Sequence, residues 1–427
     1  MSDDGRRHFG PTTLAALVVA NMIGAGVFTT SGFALADLGS PTRVLAAWVV
    51  GGIIATCGAI GYGALARRLT ASGGEYLFLS RVLHPAAGFV AGWISLLAGF
   101  TGAIAFAAHA FERYVRPEAS AVPENVLAVT SVLVATALHG VRARPGAWSQ
   151  NVVVGLKLVV LAGFAAVAVG AWRTGGASWP VVEAGPFDLA AFAGSLVWIS
   201  LSYSGFNAAV YVAGEAKDPA RTVPRAMLLA TLGVTVVYLV LNAIFVGFVP
   251  FEDVVGRPDV AFAAAESLLG NAGATVVRAI VALALLSSVS SMIMAGPRVF
   301  AQMADDGLFP ASLRFRGDVP TAAILAQAAL AITVILVSDL ESLLSYLGLT
   351  LSLSGALTVS CVFFLRRRHG ASAVPVAGSI ALPAVYVVAT IVLAGLSLQN
   401  QPERALLATA VTVTTGLVVY TFVARRR

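Results

Sequence analysis

Apolar residues run along this chain in long blocks, and polar residues fall between the blocks. A helix that crosses ~30 Å of hydrocarbon needs about 20 mostly apolar residues. Twelve blocks of that kind lie at 12–36, 43–66, 85–113, 123–140, 147–172, 187–213, 223–249, 271–303, 319–338, 341–365, 376–397 and 404–424. The segment Pro258–Leu269 is helix-like but short and carries Glu266, so it reads as a cap outside the membrane between the seventh and eighth spans. The pattern predicts an all-α membrane protein of twelve transmembrane helices.

Composition agrees. Only 11% of the residues are charged and 58% are hydrophobic, with a mean hydropathy of +0.87; a soluble protein carries about 25% charged residues. The net charge of +6 matters less than where the cations sit. With the N-terminus placed inside, the inward loops hold 19 of the 27 Lys and Arg, from Arg6 and Arg7 through Arg67, Arg68, Lys217, Arg298 and Arg366 to Arg427. Seven lie outward (Arg43, Arg113, Arg116, Arg173, Arg257, Arg278 and Arg404), and Lys157 is the remainder. An odd number of spans would scramble this positive-inside bias, so both termini are expected in the cytoplasm. The tail containing Asp3 and Asp4 leads into a first span without a clear cleavage site, which is expected to stay in the membrane. Cys57 and Cys361 both fall in apolar spans, which argues against a disulfide framework and against metal ligation. No Ser/His/Asp set, phosphate loop or nucleic-acid signature is present, so neither an enzyme nor a cofactor is expected.

Two blocks contain residues that let a helix come apart. One reads Asn21-Met-Ile-Gly-Ala-Gly-Val-Phe28; the other reads Trp198-Ile-Ser-Leu-Ser-Tyr-Ser-Gly-Phe-Asn207. Lipid offers a backbone no hydrogen bonds, so unwinding is tolerated only where it lines a protein cavity. Interruptions at corresponding places in two halves point to a carrier's substrate site. If the first and sixth spans each open a five-span repeat, the repeats run 12–172 and 187–365 with opposite orientation. That leaves a tail at 1–11, two extra spans at 376–424 and a short C-terminus at 425–427. At Gly24-Ala25-Gly26, exposed N–H groups at a helix start suit an anion, and the carbonyls at the preceding helix end suit a cation. An α-amino acid carries both charges. The competing reading is close helix packing by small residues. In the sixth span, free carbonyls are candidates for an ammonium group. Leu201, Tyr203 and Phe206 are candidates for side-chain contact. Asn207 is expected to bond substrate or steady the turn. The competing reading is a Ser-rich helix bonded to its own carbonyls.

Lys157 lies about ten residues into the fifth span, roughly 15 Å deep at 1.5 Å per residue. Such a lysine needs a cavity and partners. Two roles fit: a built-in cation where other carriers hold sodium, bonded to first-span carbonyls and eighth-span hydroxyls, or a proton carrier. A brace between helices is the plain alternative. Ser287, Ser288 and Ser291 are its candidate partners, or packing residues. His109 reads as interfacial. Glu75 is placed in the first inward loop, and Glu215-Ala-Lys-Asp218 is expected to pair charges across an inner gate.

Together Ile23-Gly-Ala-Gly-Val-Phe28, Ser72-Gly-Gly-Glu-Tyr76, Ser202-Tyr-Ser-Gly-Phe-Asn207, Gly214-Glu-Ala-Lys-Asp-Pro219 and Gly296-Pro-Arg298 resemble the amino acid–polyamine–organocation (APC) transporter superfamily over nearly the full length. The pattern looks closest to L-type and related bacterial amino acid carriers. The resemblance implies a LeuT-type fold, a 5+5 inverted repeat with discontinuous helices 1 and 6. It implies a substrate carboxylate near Gly24, Ala25 and Gly26, and an amino group near the carbonyls of Met22, Ile23, Leu201 and Ser202. Ser204 and Gly205 complete that second break. Lys157 matches a lysine that replaces sodium in sodium-independent members, and Tyr238 matches a substrate-proximal tyrosine. Ala25 stands where many members have Ser, and Leu201 and Phe206 stand where L-type carriers often have Phe and Trp. The expected activity is alternating-access transport of amino acids across a plasma membrane, by sodium-independent exchange or facilitated transport. Proton-coupled symport through Lys157 and polyamine carriage are the alternatives. Substrate and lipid are the expected partners; nothing in the sequence identifies a partner subunit.

Overall fold

The computed structural model describes residues 9–116, 122–140, 146–173, 179–180, 185–314, 320–398 and 403–424, without the side chains of 146–154, 171 and 424. The tails and the basic loop residues Arg142, Arg144 and Arg316 lie outside the described residues. The first block becomes two helices, α1 (Pro11–Met22) and α2 (Ala25–Leu38), and α3 (Pro41–Arg68) follows. A short α4 (Gly74–Val82) precedes α5 (Pro85–Ile94), which passes through a π-helical stretch, Ser95–Gly102, into α6 (Ala103–Val115). Next come α7 (Val126–Gly140), α8 (Gly146–Arg173) and α9 (Leu189–Tyr203), which tightens into a 3-10 helix at Ser204–Glu215. Then follow α10 (Pro219–Gly247), α11 (Phe251–Val254), α12 (Val260–Asp305), α13 (Thr321–Val337), α14 (Leu340–His369), α15 (Ala381–Ser397) and α16 (Glu403–Ala424). Proline stands in the first turn of α1, α3, α5 and α10, where its missing N–H costs nothing. The long α12 bends at Gly270 (φ 66°), which separates the expected cap helix from the span behind it.

Every apolar block is helical. Among the described residues, 8 stretches are long and apolar enough to cross a membrane, and Val126–Gly140, Gly155–Gly170, Thr321–Val337 and Ala381–Ser397 are shorter apolar helices. Large aliphatic and aromatic residues face outward as well as inward: Val159, Val236, Leu336, Val388 and Phe422 are exposed. Such a surface suits lipid, and the chain is a multi-pass membrane protein.

The two interrupted spans cross head to tail. The half before the first break, α1, packs on the 3-10 segment, and the half after it, α2, packs on α9. One end of the bundle gathers the starts and stops that the charge pattern assigns to one side. Phe9 exchanges backbone hydrogen bonds of 3.0 Å with Glu215 and Lys217, Arg298 reaches Glu215 at 3.4 Å, and Arg368 donates to the Val82 carbonyl at 2.8 Å. The expected pairing of Glu215 across this end is therefore present. Within the bundle, buried polar groups satisfy one another between helices. Trp48 Nε1 donates to Ser31 Oγ at 2.8 Å, and Ser31 donates to Asn242, joining α3, α2 and α10.

Glu112, 7% exposed near the end of α6, caps the next span. Its two oxygens accept the backbone N–H groups of Asn125 and Ala128 at 2.8 and 3.0 Å, donors that a helix start leaves unpaired. Glu112→Ala should cost about 1–3 kcal/mol by orphaning them, and Glu112→Gln, which keeps one acceptor, should cost less. Thermal unfolding of the purified protein in detergent measures both.

Candidate functional site

Where the two interrupted spans meet, a cavity opens with about 1250 Å³ of space, open solvent included. Backbone proximity creates it. A Cβ on Gly26 would come within 2.9 Å of Ser202 Cα, and a Cβ on Gly205 within 2.6 Å of Met22 N. Any side chain at either glycine would push the spans apart, so the packing reading of these small residues holds. The functional reading is not thereby lost, because the same approach brings both interruptions to one wall. Of the residues expected in the site, Met22, Gly24, Ala25, Gly26, Leu201, Ser202, Tyr203, Ser204, Gly205, Phe206 and Asn207 line the cavity, as does Ser288.

The first break is as narrow as a break can be. Helix α1 ends at Met22 and α2 begins at Ala25; Gly24, in extended backbone, has no side chain to cap the new helix. The first N–H groups of α2 therefore face the cavity at the positive end of a helix dipole. On the other side of the break the carbonyls are already engaged. Met22 O accepts from Gly24 N at 2.7 Å and from the Tyr238 hydroxyl, and Ile23 O accepts from Lys157 Nζ and, at 3.5 Å, from Ser288.

The second interruption differs from expectation. The sixth span does not unwind at Ser202-Tyr-Ser-Gly; its α-helix tightens to a 3-10 helix from Ser204. Hydroxyls fed back to the helix's own carbonyls help explain why. Ser200 bonds Leu196 O at 2.7 Å and Ser204 bonds Leu201 O at 2.8 Å. Ser202 O accepts from Tyr238 at 2.9 Å. Each of the four carbonyls expected to hold an ammonium thus already accepts a hydrogen bond. Tyr238 is buried behind the wall and bridges the first break to the end of α9.

Lys157, 3% exposed, does reach the first-span carbonyl expected of it, yet it borders a separate apolar groove between α8 and α12 rather than the cavity. Ser287 and Ser291 are not its partners: they bond Ala284 O and Ser288 O within α12 at 2.7 and 3.0 Å. Asn207 does not steady the break either; its amide donates to Glu75 at 3.2 Å. Tyr203 turns its ring onto Trp48 and Tyr238, with centroids 5.8 and 5.1 Å away. Phe206 meets Tyr62 and Tyr386 edge-on at 5.4 and 6.1 Å. His109 is half-buried inside the bundle, and its Nε2 has no hydrogen-bond partner among the described residues.

Glu75 is the largest departure. It is 4% exposed and lines the cavity instead of lying in a solvated loop. Ser72-Gly-Gly builds the turn that puts it there. Ser72 Oγ accepts the Gly214 N–H at 3.0 Å, Gly73 and Gly74 take φ of 132° and 56°, and a Cβ on Gly74 would run into the Tyr211 ring. Glu75 then opens α4, and Tyr76 donates to Asp306 at the bundle end. Burial pushes the Glu75 carboxyl above the usual carboxylate range, and hydrogen bonds from Tyr62, Ser354 and Asn207 pull it back. One signal for this placement was available: Glu75 is followed directly by the apolar Tyr76-Leu-Phe-Leu79, where a solvated loop would be polar.

Tyr238→Phe removes the donor shared by Met22 O and Ser202 O. A hydrogen bond of this kind contributes about 0.5–1.5 kcal/mol, so with two carbonyls losing a partner the variant should melt several degrees lower in detergent, while Tyr203→Phe, whose hydroxyl reaches Trp48 O at 3.2 Å and also meets Thr235, should melt closer to the parent.

The chain is similar in sequence to amino acid transporters. Residues 9–422 match the family profile described as "Amino acid permease". The "Large neutral amino acids transporter small subunit 2" of Mus musculus is 26% identical, over 97% of this chain and 80% of that protein. The "Asc-type amino acid transporter 1" of Mus musculus is 25% identical, over 90% of this chain and 75% of that protein. The human "Cystine/glutamate transporter" is 24% identical, over 96% and 83%. With the profile covering nearly the whole chain and its glycine-bounded breaks lining one cavity, the chain belongs to the amino acid permease family, within the APC superfamily.

Proposed function

We propose that the protein moves amino acids across the plasma membrane by alternating access, as a sodium-independent exchanger or facilitator. The observation that carries this reading is the pairing at the first break. An uncapped helix start, with its N–H groups toward the cavity, lies beside a fixed cation, Lys157, bonded to Ile23 O. The N–H groups of Ala25 and Gly26 suit a substrate carboxylate. The carbonyls of Met22, Ile23, Leu201 and Ser202 are acceptors that a substrate ammonium would have to share. Leu201, Tyr203, Phe206 and Asn207 would meet the rest of the molecule. Lys157, with Ser288, takes the place of a mobile cation and so removes the need for sodium. The head-to-tail crossing of α1–α2 with α9 and its 3-10 extension supports a 5+5 inverted repeat of the LeuT type. With the four shorter apolar helices counted as spans, 8 and 4 give twelve, and the termini are placed in the cytoplasm.

Printed names of the relatives speak for amino acids. None names a polyamine or a proton, so the polyamine and proton-symport alternatives gain no support. One relative is a "small subunit". A comparable partner of this chain would be held without a disulfide, because Cys57 and Cys361 are both buried.

Uptake into liposomes tests the reading, with internal amino acid, sodium and pH varied separately. Uptake that needs internal amino acid and no ion gradient is expected; strict dependence on sodium would remove the role given to Lys157. A Cβ on Gly24 meets nothing closer than Ser288 Oγ at 3.5 Å. Gly24→Leu should therefore fold yet crowd the carboxylate site and lower uptake by roughly tenfold or more. Normal uptake by this variant would refute the placement.

A further inference from the structure

Glu75 is an acidic group in a cavity that no described Lys or Arg lines. Tyr62 and Asn207 donate to its Oε1, the latter at 3.2 Å, and Ser354 donates to Oε2 at 3.0 Å. All three can donate to the carboxyl at once, and an ionised carboxylate can accept from all of them. They come from α3, the 3-10 segment and α14, so the group is fixed from three sides. No ion pair joins Glu75 to a described Lys or Arg, and Lys157 is not among the residues that line its cavity. The titratable neighbours are the phenols of Tyr62, Tyr211 and Tyr386. The other polar residues that line the cavity, Asn21, Ser202, Ser204 and Thr390 among them, are uncharged, and inside a protein a charge is screened less than in water.

Resting on the transport reading above, we propose that Glu75 is a specificity-determining residue: its carboxylate admits amino acids with neutral or cationic side chains to the cavity and excludes those with acidic ones. Asn207, which holds Glu75, directly follows Phe206, and Phe206 meets Tyr62, the other donor to the same oxygen, edge-on. The carboxyl is thus bonded to a residue two positions past Gly205 and lines the same cavity as Ser202–Gly205, where a substrate's side chain would lie. The α-carboxylate of every amino acid is met by the N–H groups of α2. A second carboxylate, on the side chain, meets Glu75 with no cation to offset it. A cationic side chain there supplies the charge that Glu75 lacks.

Glutamine and glutamate, equal in size and different in charge, make the test. Each competes with labelled leucine for entry into proteoliposomes. For the parent, glutamine should compete about tenfold or more better than glutamate, since like charges brought together in a buried site are strongly disfavoured. Lysine should compete at least as well as glutamine. In Glu75→Gln, and independently in Glu75→Ala, the glutamine-to-glutamate ratio should fall to within about threefold whatever the absolute rate, and the advantage of lysine should vanish. Glutamate competing as well as glutamine in the parent, or an unchanged ratio in either variant that still takes up leucine, overturns the proposal. Should no amino acid be taken up or compete at all, it is the transport reading that fails instead.

Discussion

A helix broken inside a hydrocarbon layer leaves carbonyls and N–H groups that water cannot reach, and the arrangement around Ile23–Gly24 follows from that constraint. The carbonyl side of the break is saturated. Tyr238 and Gly24 serve Met22 O, and Lys157 and Ser288 serve Ile23 O. The N–H side has no side-chain cap at all. This asymmetry gives the cavity its polarity. What the protein can satisfy for itself is hidden behind the wall, and what it leaves open faces the space that a ligand would fill. The glycines set the geometry on which this depends, since Gly26 and Gly205 let two backbones approach to a distance that any Cβ would forbid.

Much of this could be read from residue order, and the reasons are specific. Blocks of apolar residues translate directly into helices; all twelve are helical, 8 stretches among the described residues are long and apolar enough to cross a membrane, and the cap ahead of the eighth block is divided from it at Gly270. A lysine ten residues into a span must find an acceptor, and the nearest freed carbonyl, at Ile23, is the one it bonds. Tyr238 was singled out only by resemblance; nothing in its own neighbourhood, Val236-Val-Tyr-Leu-Val240, marks it.

Other features were illegible for equally physical reasons. Serine hydroxyls at membrane depth can return to their own helix, which Ser200, Ser204, Ser287 and Ser291 do, so a serine-rich stretch does not distinguish an opened helix from a tightened one. Glu75 was assigned to solvent because it lies between two spans. Depth measured along the sequence misses a chain that turns back inward, and the turn at Gly73–Gly74 does that, carrying a carboxylate into the bundle on a nine-residue helix.

The hydroxyl of Tyr238 has a single proton and touches two carbonyls, one from each interrupted span. Just ahead of α1, Phe9 is likewise stitched through Glu215 and Lys217 to the far end of the sixth span. Pinned at two levels, α1, α10 and the sixth span from Ser202 to Glu215 form a mechanical unit. A rearrangement that reshapes the cavity must carry the three together as one lever against the remaining helices or break those bonds. The hinges are therefore to be sought where this unit joins the rest: at Gly24, the last point before α2, and in α9 ahead of Ser202.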